Sequence, residues 1–113
     1  MHELGITQSL VEIAERAASE QGAQRVLTLT VEIGELAGVV PDAVAFCFEA
    51  CVHGTLLEGS QLLIRSIPGR AHCAGCATEV AVEPMTIACP ACGSFALERR
   101  QGEELRLLEL EIE

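Results

Sequence analysis

Four cysteines, Cys73, Cys76, Cys89 and Cys92, stand in the pattern Cys-x2-Cys, twelve residues, Cys-x2-Cys. Two residues between cysteines let a tight knuckle aim both thiolates at one point, and a short hairpin brings two knuckles together. Four thiolates with no open position suit a tetrahedral, structural Zn²⁺. The flanking Gly75, Pro90 and Gly93 are types that knuckles use for unusual φ or tight reversal. A pair of disulfides, or a redox dithiol within one Cys-x2-Cys, are the competing readings. The pattern dictates how one stretch of chain folds and says little about what the protein does.

The 113 residues suffice for one modest core plus a small metal-stapled lobe. Half of them are hydrophobic, which excludes a disordered acidic tail. No stretch approaches the ~18 apolar residues of a membrane span, and the start does not resemble a signal peptide. Thiolates held for a metal point to a reducing cytoplasm. The 17 Asp and Glu outweigh 7 Lys and Arg, for a formal charge of −10. Such a surface repels phosphate backbones and favours basic partners or cations. With three Phe and no Trp or Tyr, base stacking also lacks its platform. The expectation is no nucleic acid and no membrane.

From about Leu4 to Gln21 the spacing predicts an amphipathic helix. Ile6, Leu10, Ile13, Ala14 and Ala17 form its apolar stripe, and Gly22 supplies the stop. Arg25 to Glu35 alternates with a period of two, Leu27, Leu29, Val31 and Ile33 against Thr28, Thr30 and Glu32, a strand with one wet face. Pro41 opens a second helix whose inward stripe is Val44, Phe48 and Cys51, with Phe46 and Cys47 beside it. A turn at Gly54 to Gly59 leads to a second strand over Ser60 to Ile67, ended by Pro68-Gly69. A third strand spans Glu103 to Glu113, with Leu108, Leu110 and Ile112 alternating against glutamates. The fold class is therefore α+β: a small three-stranded sheet with two helices, plus an inserted zinc-ribbon module. Residues 1–69 and 100–113 form the α+β domain, and 70–99 the zinc-binding domain.

The chain begins Met1-His2-Glu3. The Met1 amine and the His2 amide close a five-membered chelate ring, and His2 Nδ1 closes a six-membered ring with its own amide. A square plane of nitrogens that displaces amide protons suits Ni²⁺ or Cu²⁺, whereas Zn²⁺ has no such preference. The plainer reading of His2 is an exposed, frayed end.

Met1-His2-Glu3, Ser9-Leu10-Val11, Val31-Glu32-Ile33-Gly34-Glu35, Phe46-Cys47-Phe48-Glu49 and the two-knuckle module together resemble the HypA/HybF family, nickel metallochaperones of hydrogenase maturation. The elements follow the family's order along essentially the whole chain. The resemblance implies that Ni(II), carried as cargo, is bound by His2 with the backbone nitrogens of Met1, His2 and Glu3. It also implies structural Zn(II) on Cys73, Cys76, Cys89 and Cys92. The implied partners are a nickel-handling GTPase and the hydrogenase large-subunit precursor, and some relatives serve urease. Some relatives place a carboxylate near nickel from the loop after the first strand. Here that stretch is Gly38-Val39-Val40-Pro41, with Asp42 the nearest acid.

Milder readings attach to other residues. His72 beside Cys73 is a candidate exchangeable zinc ligand, with plain surface placement the commoner outcome. His53 reads as surface. Cys47 and Cys51, four apart on the second helix, are soft ligands or small buried hydrophobes. The Glu3 carboxylate orients His2, tunes docking or is solvated. No Ser-His-Asp grouping, phosphate-cradling loop or paired carboxylates supports catalysis, so an enzyme is not expected. A zinc ribbon for nucleic acid and a thiol oxidoreductase using Cys89-Pro90-Ala91-Cys92 are the competing functions, and the chain is read as a monomer or homodimer.

Overall fold

The computed structural model describes residues 2–113. Helix α1 spans Glu3–Glu20 and buries Thr7, Leu10, Val11, Ala14 and Ala18. That stripe is rotated from the one the sequence suggested: Ile13 is half-exposed, and Thr7 and Val11 take the inner positions. Thr7 can be buried because its hydroxyl donates to the Glu3 carbonyl at 2.7 Å. The helix stops where Gly22 adopts φ +69°, while the Ala23 N–H bonds back to the Ala18 carbonyl.

Strand β1 (Val26–Gly34) is central in a sheet of order β2-β1-β6, with β2 at Gln61–Ile67 and β6 at Leu105–Ile112. The Val26 N–H bonds the Leu56 carbonyl and the Glu35 N–H bonds that of Ile67, so β1 and β2 run the same way. Helix α2 (Pro41–Cys51), with proline in its first turn, is the crossover that parallel pairing requires. β6 returns in the opposite sense, Glu113 just beyond it accepting from the Gln24 and Arg25 N–H groups and donating to the Arg25 carbonyl.

The expected wet face of β1 is not wet: Thr30 and Glu32 are both buried. Alternation within one strand cannot register that neighbours flank it on both sides. The Glu32 carboxylate is instead satisfied by Arg106 Nε at 2.6 Å. Along β6 the alternation slips after Leu107, leaving Leu108 among the exposed residues. On α2, Val44 and Phe48 are buried as expected, Cys51 is half-buried, and Phe46 is turned outward. Leu57 is fully buried although it lies in the turn before β2.

The chain forms two compact units. One runs through Glu32 and adds Val39–Arg65 and Arg106–Glu113; the other comprises Ile33–Gly38 and Ser66–Leu105. The second holds a sheet of order β4-β3-β5, with β3 at Arg70–Cys73, β4 at Thr78–Ala81 and β5 at Leu97–Gln101. Both pairings are antiparallel, and β3–β5 shifts register between Arg70 and Ala71. Its core is small: Leu36, Ala71 and Val82, with Val80 and Leu97 packed against them.

Within this unit three backbones converge. A Cβ on Gly34 would lie 1.9 Å from the Gly102 carbonyl oxygen, and one on Gly102 would lie 2.7 Å from the Gly69 Cα. The knuckles obey a different constraint. The residue after the second cysteine of each is left-handed: Gly93 at φ +79° and Ala77 at φ +55°. Gly75 owes its place to space rather than φ, since a Cβ there would meet Ser94 Cβ at 2.7 Å. Ala77 is thus the strained member of a repeated turn.

Gly34→Ala is expected to destabilise by about 3 kcal/mol, the upper part of the overpacking range, because backbone rather than a flexible side chain blocks the new methyl. Urea unfolding measures it, and a change below about 0.5 kcal/mol would contradict the close approach. Ala77→Gly is expected to be neutral or stabilising by up to about 1 kcal/mol, since relief of the left-handed strain offsets the freedom gained by the unfolded chain. A clear loss of stability in that variant would show that the first knuckle is unstrained.

Candidate metal centres

The four cysteine Sγ atoms lie within 4.8 Å of one another. Cys73 reaches Cys92 at 3.6 Å and Cys76 reaches Cys89 at 3.8 Å. A disulfide needs about 2.05 Å, so these are free thiols on two opposed pairs. A tetrahedron with Zn–S near 2.3 Å has an edge of about 3.8 Å, which both pairs match. Cys73 closes β3, Cys76 sits in the turn before β4, and Cys89 and Cys92 form the second knuckle. The Cys89 N–H bonds the Ser94 carbonyl and the Gly93 N–H returns to the Cys89 carbonyl, which closes that knuckle.

The electrostatics of the cluster call for a cation. The backbone N–H of Cys76, helped by the Cys92 thiol, the Gly75 N–H and the Cys89 thiol, lowers the Cys73 thiol to about 6 against the cost of burial. For Cys92 the Ser94 N–H pulls downward, yet burial and the three neighbouring thiols push it up to about 12. One thiolate forms readily and the last one strongly resists. A divalent ion removes that resistance, and four thiolates leave it no open position. The residues therefore fit Zn²⁺.

His72 is not part of this cluster. It precedes Cys73 on a strand, where successive side chains point to opposite faces, and pairs in register with Glu79 and Glu98. His53 is exposed, 3.9 Å from Glu58. Cys47 and Cys51 are half-buried, and burial, then the neighbouring Cys47, raises the Cys51 thiol. Neither joins a group of three or more potential ligands among the described residues.

At the other end, Met1 lies outside the described residues, and with it one of the expected nickel nitrogens. His2 is the N-cap of α1: its carbonyl accepts the Ile6 N–H at 3.2 Å, while its imidazole is exposed and makes no capping bond. The Glu3 carboxylate has a definite role. It accepts the Val40 N–H at 3.4 Å, and its own N–H and that of Val40 hold it below the usual carboxylate range. A lowered folded value makes this contact favourable at neutral pH and lost as pH falls through it. Val40 is the N-cap of α2, so Glu3 ties the start of α1 to the loop Gly38-Val39-Val40-Pro41. Asp42 is exposed in the first turn of α2. Sequence spacing alone left the role of Glu3 open, because its partner lies 37 residues away.

A family model described as hydrogenase/urease nickel incorporation, metallochaperone, hypA, matches residues 1–112. Hydrogenase maturation factor HypA of Geobacter metallireducens is 54% identical over 113 residues, covering 100% of both chains. That of Azotobacter vinelandii is 46% identical with the same coverage. The solution structure of the Ni metallochaperone HypA from Helicobacter pylori aligns with a TM-score of 0.69 at 26% identity, over 99% of this chain and 97% of that one. A thiolate cluster of zinc geometry, an exposed imidazole at the head of the first helix and matches that span the chain end to end all point the same way: the chain belongs to the HypA family of nickel-incorporation metallochaperones.

Proposed function

We propose that this chain takes up Ni(II) on the Met1 amine, the backbone nitrogens of His2 and Glu3 and the His2 imidazole, and passes it to a hydrogenase large-subunit precursor in concert with a nickel-handling GTPase. As a HypA-family maturation factor it is a metallochaperone and not an enzyme. The α+β part handles nickel, and Cys73, Cys76, Cys89 and Cys92 hold a structural Zn(II). The observation that carries the nickel reading is the position of His2 as the N-cap of α1.

The first N–H groups of a helix have no intrahelical acceptor, so losing protons from the His2 and Glu3 amides breaks no rung of α1. The positive end of the helix macrodipole favours the resulting anionic nitrogens. The Glu3 N–H is engaged by its own carboxylate, which keeps the Val40 N–H as a second partner. Donors at a chain end can be replaced one at a time, as transfer to an acceptor protein requires. Zinc, once bound, supplies the positive charge that lets four thiolates coexist. Thiolates kept for metal suit the cytoplasm. No helix among the described residues is long and apolar enough to cross a membrane.

His2→Ala is expected to weaken nickel binding by at least ~100-fold, the upper end of what loss of a supporting partner costs, with the helical circular dichroism unchanged. A Gly-Ser extension ahead of Met1 should do the same. Nickel titrations indifferent to both changes would falsify the donor set. The sign with pH follows from the amine: its reference pKa near 8 means that each unit of acidification below that value weakens nickel by at least ~10-fold, through competition with protons. For zinc, Cys89→Ala is expected to unfold the second unit, because a site of this kind contributes ~10–16 kcal/mol of folding free energy. Helical signal from α1 and α2 should persist at least in part; its complete loss would make the whole chain one cooperative unit.

A further inference from the structure

The second unit carries a cleft of about 610 Å³ whose lining includes Glu35, Pro68, Val82, Glu83, Pro84 and Pro90. Its floor is firm. Val82 belongs to the core of the unit, and its N–H bonds the Gly69 carbonyl at 3.0 Å. The lip is a closed turn: the Glu83 N–H donates to Thr86 Oγ1 at 3.0 Å, and the Thr86 N–H returns to the Glu83 carbonyl at 3.1 Å. A cavity of this size, apolar with a few fixed polar groups, has the character of a recognition site.

The two carboxylates that line it, Glu35 and Glu83, are not compensated by the arginines nearby. Arg99 is engaged by Glu103 at 3.3 Å and by the Pro84 carbonyl, and Arg100 by Glu98 at 3.1 Å. Arg70 lies on β3, outside the lining. Glu35 and Glu83 have no ion-pair partner among the described residues, and both line the cleft. Two carboxylates set in proline and valine walls lack the converging oxygen cage that a hard cation needs. They suit a cation on an apolar stem, with the methylenes against the walls and the charged head at the carboxylates. Met85, between two lining residues, is 88% exposed, and Ile87 on the same loop is 75% exposed. These offer contact area for apolar neighbours of such a cation.

We propose that this cleft receives a Lys or Arg side chain from an apolar segment of the enzyme precursor to which nickel is delivered. Naming the precursor rests on the delivery reading above; the chemistry of the occupant rests on the cleft.

The test is biolayer interferometry of the zinc-loaded, full-length chain against purified hydrogenase large-subunit precursor, in low and high salt. Glu35→Gln/Glu83→Gln is expected to weaken binding by at least ~10-fold, and salt to weaken the wild type more than this variant. Glu79→Gln serves as control: Glu79 is exposed on β4, has no ion pair among the described residues and lies outside the cleft. It is expected to change affinity by less than ~2-fold. Equal binding by the double variant overturns the proposal, as does an equal loss in Glu79→Gln, which would show a diffuse acidic attraction. Zinc content and circular dichroism check that each variant is folded. A wild-type chain that binds nickel but not the precursor also sinks the cleft, while failure of the nickel titration sinks the delivery reading independently.

Discussion

Four sulfur atoms must converge on one point, and the second unit is built around that requirement. Its core cluster is Leu36, Ala71 and Val82, far too little to hold more than forty residues by the hydrophobic effect alone. Everything nearby serves the convergence. β3 delivers Cys73 at its last residue, Gly75 leaves room for Ser94, and Ala77 tolerates a left-handed φ so that the chain can turn into β4. Local strain at Ala77 persists because the metal cluster over-determines the turn. The close approach of Gly34, Gly69 and Gly102 has a different origin, since it brings backbone together where no side chain fits.

Much of this was legible in the sequence, and what was not has physical causes. The cysteine spacing specified the cluster because ligand geometry is local: two residues define a knuckle whatever surrounds it. The periods of α1, β1 and α2 were visible for a similar reason. The rotation of the α1 stripe was not, because Ile13 and Val11 are equally apolar and only the packed neighbours decide which one is inside. Thr30 and Glu32 read as solvated because their alternation is real, yet central placement between β2 and β6 buries them, and Arg106, 74 residues away, satisfies the acid. Leu57 shows the same blindness, as an apolar residue in a turn reads as exposed until the turn is seen to fold inward.

The end proposed for nickel follows a logic opposite to that of the four-cysteine cluster. His2 and Glu3 head a helix whose first amides the ladder leaves unused, and the imidazole is not spent on capping. The Glu3 carboxylate braces this end against Val40 without occupying the imidazole. The loop after β1 offers the Val40 N–H to Glu3, so the acid near the helix start comes from α1 itself.

The two proposed sets of donors would also explain how one small chain keeps two metals apart. Affinity alone would not do so, because Ni²⁺ and Zn²⁺ both bind nitrogen and sulfur tightly and differ modestly in the general order of stabilities. Geometry does. Thiolates fixed near tetrahedral edges suit an ion indifferent to d-electron preference and leave no room to flatten. The chain-end amine, deprotonated amides and imidazole proposed for nickel would close fused rings in a plane, which rewards Ni²⁺ and gives Zn²⁺ no comparable return. On the proposed donor sets, one site would resist exchange because folding would be lost with the metal, and the other would permit it because the fold would not depend on it.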